Sequence, residues 1–214
     1  MISESPTESS PATESRFSAR DVAAILRERG WLDAGATSGA EAAARKNAFP
    51  AGPKPCAGEI TFRSADHAKQ ELESWLREAA LLLGPHCAER DALTGLLRLV
   101  FEYDAQDILR SPESHRVLAR EGAREVIREL AHLVLEGPEM DSDRFKRIIL
   151  ALKTRLRFRG RELFHPIRLA LAGRAGEGEL DRVILLLDPG ARLPFRAPAK
   201  SNRQRMLDFC AALD

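Results

Sequence analysis

Residues 160–174 read Gly-Arg-Glu-Leu-Phe-His-Pro-Ile-Arg-Leu-Ala-Leu-Ala-Gly-Arg. Their apolar positions recur at helical spacing, and Gly160 and Gly173 bracket them as a tight turn and a helix C-cap would. The pattern predicts a short helix over 164–171, with Pro166 in its first turn, where a missing N–H costs nothing. The run also lies in the most basic part of the chain. Between Arg144 and Arg174 there are ten Lys or Arg and a single acid, Glu162, a balance of +9. The whole chain is formally +1, so the remaining residues carry −8. A positive field this concentrated implies a polyanionic partner, and nucleic acid is the first candidate.

Working outward, the same helical period continues on both sides. Upstream, Asp141 or Ser142 opens a helix to about Arg157, with Phe145, Ile148, Ile149, Leu152 and Leu156 on its buried face. Lys146, Lys153 and Arg157 fall on one flank, and Arg144 and Arg155 on the other. Gly137-Pro138 is a stop, and Arg124 to Leu135 forms the helix before it. Ser111-Pro112-Glu113 reads as an N-cap with proline at the first helical position, leading to about Arg120. Leu93, Leu96, Leu97 and Val100 mark a helix over about 89–102. Leu72, Trp75, Leu76, Ala79, Leu82 and Leu83 mark another, ended by Gly84-Pro85. Downstream, short helices are expected over 179–187 and 202–213.

The N-terminal third reads differently. Residues 1–17 are Ser, Thr, Glu and Pro with little that is apolar, a composition that cannot offset the entropy of ordering, so a disordered tail is expected. Ser18 with Asp21 resembles a capping box, opening a short helix on Val22, Ile25 and Leu26 that ends near Gly30. The rest of 18–63 is rich in Gly, Ala and Pro and reads as a linker, with a short helix at 40–46 and a weak strand signal at 60–62. The expected fold is therefore all-α: an irregular bundle of about seven or eight short helices over 64–214.

Composition narrows the functional classes. No run approaches the ~20 apolar residues that span a bilayer, and the polar N-terminus lacks the pattern of a signal peptide, so a cytoplasmic location is expected. Cys56, Cys87 and Cys210 are far apart and odd in number, with no spacing suited to zinc or to a disulfide framework. No metal or cofactor is expected. His165 lacks a neighbouring nucleophile or second carboxylate, so a hydrogen-bonding or nucleic-acid role suits it better than general-base catalysis. A solvated face of a charged helix usually alternates in sign, and this one does not. Arg157-Phe158-Arg159-Gly160-Arg161 adds a geometry: cations, one aromatic ring and a helix N-terminus in one turn, able to hold phosphate oxygens or an unstacked base.

At these residues the segment resembles the signature of the anticodon-binding half of bacterial glutamyl-tRNA synthetases, which runs roughly G-[KR]-x-L-[FM]-x-P-[IL]-R-x-A-L-T-G-R. Val100 to Asp104, Pro112 to Leu118, Gly122 to Val126 and Lys153-Thr154-Arg155 are also similar, so the resemblance spans about residues 90–196. It implies an α-helical cage that reads the anticodon of a tRNA, with glutamate tRNA the natural expectation. It further implies that Arg168, the arginine of Pro-Ile-Arg, contacts the anticodon. Arg161, His165 and Arg174 would be its neighbours, and Lys153, Arg157 and Arg159 phosphate partners. Ala172 stands where the family usually has Thr, and Glu177-Gly178 where Gly-Pro is usual. None of the five histidines begins a His-x-Gly-His element, and Lys200-Ser201-Asn202-Arg203 is a poor match to a Lys-Met-Ser-Lys-Ser loop. The expectation is a tRNA-binding module that is not catalytic alone, or one subunit of a split synthetase. The alternative is a protein-interaction module on the same scaffold, with a partner, such as a separate synthetase, docking through the N-terminal region. A small helical enzyme is a third class, for which no coherent site is visible.

Overall fold

The structure, a computed structural model, describes residues 16–33 and 65–213. Ten helices occur among them: α1 (Ala19–Glu28), α2 (Ala65–Leu83), α3 (Arg90–Phe101), α4 (Ala105–Arg110), α5 (Pro112–Leu118), α6 (Ala123–Leu135), α7 (Ser142–Arg155), α8 (Gly160–Ala172), α9 (Glu179–Ala191) and α10 (Asn202–Leu213). A single 3-10 turn, Gly84–His86, follows α2. No strand occurs among the described residues, so the fold is all-α as expected. The helix expected at 40–46, the strand signal at 60–62 and nearly all of the expected tail lie outside them.

Side-chain capping sets several of the helix starts. At α1 the Ser18 hydroxyl accepts from the Asp21 N–H while Asp21 accepts from the Ser18 N–H at 2.8 Å, a complete capping box. Ser111 caps α5 ahead of Pro112, and Asp141 caps α7. The helix α4 was not anticipated. Asp104 accepts from the Asp107 N–H at 3.0 Å and starts a new turn directly after α3.

Two prolines sit where the sequence reading did not place them. The helix α8 begins at Gly160, four residues earlier than expected, so Pro166 lies in its interior rather than its first turn. The helix α9 likewise runs through Pro189 to Ala191. Both helices are buried almost all round over Pro166–Ala172 and Val183–Asp188, and tertiary packing outweighs the lost hydrogen bond. They form the centre of the bundle. The helices α5, α6 and α10 pack on α8, while α2, α3 and α10 pack on α9. The helix α1 lies on α2, and Trp31, Trp75, Phe101 and Phe195 form an aromatic cluster that ties it to the core.

Arginines close several helix ends, where the last four carbonyls lack intrahelical partners. In α6, His132 C=O accepts from Glu136 N–H. Arg144 donates to the carbonyls of Leu133 and Val134, and Arg203 to that of Leu135. Arg205, fully buried on α10, donates to the carbonyls of Leu99 and Val100 at the end of α3 and of Leu171 at the end of α8, at 2.7–2.8 Å. Its guanidinium stacks on Tyr103, 4.5 Å from the ring centroid, and burial lowers its pKa to about 10. The Tyr103 hydroxyl donates to Ala170 C=O at 2.5 Å, and burial raises its own pKa well above the usual value. The end of α8 is thus secured without a hydroxyl at the buried Ala172.

Candidate nucleic-acid interface

The basic segment folds as α7, an extended stretch over 156–159, α8 and the turn at 173–178. Leu156 is buried, and the Phe158 ring lies against Gly122, the N-cap of α6. Gly122 has φ +76, and a Cβ there would meet the ring at 1.8 Å, so both the backbone and the space require glycine. The contact holds the extended stretch against the start of α6. Gly160 turns the chain into α8 with φ +51, and no side chain caps that helix. Its first N–H groups lack intrahelical partners, and Arg159 and Arg161 flank them in sequence.

The seven expected site residues occupy five different situations. Arg157 and Arg174 are exposed, with no ion pair or side-chain hydrogen bond among the described residues. Arg159 is exposed but folds back, its Nη1 donating to the carbonyls of Leu156 at 2.9 Å and Phe158 at 2.7 Å. Arg161 is exposed and pairs at 3.6 Å with Glu177 across the turn. Lys153 and Arg168 meet at the half-buried Phe164, their cationic centres 5.5 and 4.9 Å from its ring centroid.

Arg168 is buried and fully engaged. Its Nε and Nη2 donate to the two carboxylate oxygens of Asp181 at 2.7 and 2.9 Å, and its Nη1 to Gly176 C=O at 2.5 Å. This bidentate fork fastens the 173–178 turn to α8 and α9. The sequence reading missed Asp181, which lies thirteen positions from Arg168 across an irregular turn that no helical period bridges. It also missed the ring of Phe164 as the surface beneath two cations.

His165 is partly buried and accepts a hydrogen bond at Nδ1 from Arg120 Nη1 at 3.2 Å. A guanidinium can only donate, so the neutral ring carries its proton on Nε2. Its pKa lies below the ordinary histidine value, chiefly through burial, then through Arg120, Arg161 and Arg168, with Glu177 opposing them. Arg120 lies outside the basic segment, and only the fold brings it here.

Elsewhere the polar groups are mostly engaged with one another. A cavity of about 350 Å³ lies between the ends of α6 and α9 and the starts of α7 and α10. Arg192 pairs with Glu139 beside it, and Asp188 accepts from the N–H groups of Met140 and Asn202. Among the described residues no group of three or more His, Cys, Asp or Glu could hold a metal ion, and no helix is long and apolar enough to cross a membrane.

Comparison with known proteins places this geometry in a family. The family model described as the anticodon binding domain matches residues 59–190, more than half of the chain. Over 84 residues the chain is 34% identical to a protein named glutamate–tRNA ligase 2 from Syntrophus aciditrophicus, covering 39% of this chain and 15% of that protein. Over 77 residues it is 32% identical to a glutamate–tRNA ligase from Carboxydothermus hydrogenoformans, covering 36% and 16%. The similarity therefore extends over about a sixth of each relative's length. No solved structure matches. By the extent of the family match, the chain belongs to the anticodon binding domain family.

Proposed function

We propose that this chain binds tRNA through the face formed by α7, the 156–159 stretch and the start of α8, without itself activating an amino acid. The observation that carries the reading is the gathering of exposed cations around the uncapped N-terminus of α8, within a fold of the anticodon binding domain family. Arg157, Arg161 and Arg174 act as phosphate contacts, with Lys153 and Arg159 at the edge of the same face. Arg168 acts through Asp181 and Gly176, setting the position of the turn that carries Arg174 and Glu177. The names of the two relatives favour a glutamate tRNA, and a cytoplasmic site of action accords with that partner. Pairing with a separate catalytic chain, as in a split synthetase, is compatible with this reading.

The protein-interaction alternative relied on a free amphipathic helix near Val22. That helix packs on α2, with Val22, Ile25 and Leu26 buried, while most of the N-terminal segment on which the alternative also drew lies outside the described residues.

The test is retention of total tRNA on a filter by the full chain at ~50 and ~200 mM salt. Binding should weaken steeply, because each phosphate contact releases counterions. Absence of binding at the lower salt overturns the proposal. Comparing purified tRNA species then decides whether glutamate tRNA is preferred.

A further inference from the structure

The turn between α8 and α9 is held from several sides. Gly173 ends α8 in the left-handed conformation, with φ +81, and Ala175 is buried. The Gly176 carbonyl accepts from Arg168 Nη1 at 2.5 Å, and a Cβ on Gly176 would meet Leu180 Cδ1 at 2.8 Å. The Glu177 carbonyl accepts from the Leu180 N–H at 3.2 Å, and the Gly178 carbonyl from the Asp181 N–H at the same distance. The backbone of Glu177 is therefore fixed on both sides, while its side chain is exposed.

That fixed backbone presents an acid to Arg161 of α8. Glu177 Oε1 lies 3.6 Å from Arg161 Nη2, too far for a hydrogen bond, and the two side chains are 72% and 77% exposed. Arg161 makes no hydrogen bond among the described residues, so its donors remain available. The charges acting on the adjoining His165 ring are Arg120, Arg161, Arg168 and one acid, Glu177. Of the other acids nearby in sequence, Asp181 is taken by Arg168, and Glu162 is exposed and in no ion pair among the described residues. An ion pair this exposed adds little to the stability of the fold. Its effect falls on Arg161.

We infer that Glu177 is an internal competitor for the phosphate that Arg161 binds: it occupies the guanidinium while no RNA is present, and its side chain swings aside when a phosphate oxygen arrives. This rests on the tRNA-binding reading and adds to it a residue that opposes binding. A competitor anchored by its backbone does not diffuse away as a dissolved counterion does. An anion therefore wins Arg161 only when further contacts, such as Arg157 and Arg174, come with it, and a lone anion is disfavoured against a partner that engages several cations at once.

The experiment is an equilibrium filter-binding titration of total tRNA at ~50 mM salt, where phosphate contacts are strong. Four full-length chains are compared: the unaltered protein, Glu177→Gln, Arg161→Gln and the double variant, each verified as folded by its circular-dichroism melt. Glu177→Gln should tighten binding by about twofold to fivefold, the range of an exposed ion pair. In the Arg161→Gln background the same change should have no effect, because the competition needs the guanidinium. Unchanged binding by Glu177→Gln overturns the inference, and weaker binding does too, since Glu177 would then be a strut of the turn. A gain of equal size in both backgrounds also overturns it, showing a general field rather than competition for one residue. Each of those results leaves the tRNA-binding reading intact. If the unaltered chain fails to bind, that reading falls and this inference falls with it.

Discussion

Arg168 and Asp181 form a closed two-point fork, with Nε to Oδ1 at 2.7 Å and Nη2 to Oδ2 at 2.9 Å, in which both partners are largely removed from solvent. An arginine held in this way is rigid, and its third donor fixes the Gly176 carbonyl. Arg168→Ala should weaken tRNA binding by ~1–3 kcal/mol. The informative companion is Asp181→Asn. If Arg168 acts by positioning, the two variants should lose affinity alike. If Arg168 reads a base directly, Asp181→Asn should free the fork and strengthen binding. Equilibrium titration of both variants decides between the two roles.

The Gly122–Phe158 contact makes a sharp stability prediction. Gly122→Ala combines a left-handed backbone with a Cβ inside the ring, and should cost about 2–4 kcal/mol. Adding Phe158→Ala removes the collision but not the backbone strain, so the double variant should be less than additive. Urea denaturation of the two single variants and the double measures the coupling.

Arg205 should rank among the most sensitive positions. Arg205→Met fits the volume but leaves the carbonyls of Leu99, Val100, Leu171 and Lys200 without their donor. A loss of about 3 kcal/mol or more is expected. Tyr103→Phe deletes only the hydroxyl on Ala170 C=O and should cost about 1–2 kcal/mol. Thermal melts that ranked these two in the opposite order would contradict the assignment.

His165 gives stability a pH dependence of defined sign. Its folded-state pKa lies below the ordinary 6.5, so the unfolded chain takes up the proton first as pH falls. The stabilising contribution is complete above about pH 6.5 and declines below it, toward the lowered folded value. His165→Asn keeps an acceptor near the Nδ1 position and cannot titrate. Melting temperatures from pH 7.5 to 5 should fall less in this variant, a difference kept small by the partial exposure of the ring.

How much of this the sequence revealed depended on whether the determining interaction was local. The capping box at Ser18, the proline-led start of α5 and the stop at Gly137-Pro138 rest on groups within a few residues, and all were legible. The start of α8 was not, because proline marks a helix beginning only when burial does not outweigh its missing N–H, and α8 is central. The basic face was visible as a run of charge, yet a charge count is blind to occupancy. Arg144 lies on the carbonyls of α6 and Arg168 on Asp181, so neither is as open as Arg157 or Arg174. Arg120 escaped notice for the converse reason, since it lies between two helices among charges of both signs and only folding brings it to His165.

The grip of Arg205 on Leu171 also orders events in time. As the chain leaves the ribosome, the basic segment emerges first, and the carbonyls at the end of α8 wait 34 residues for their guanidinium. Until α10 arrives, the ends of α3 and α8 are joined by the Tyr103 hydroxyl on Ala170 C=O and lack the guanidinium, and the nascent chain carries its cations on an unfinished scaffold. The end of α8 therefore reaches its final support late, through a fully buried arginine of α10.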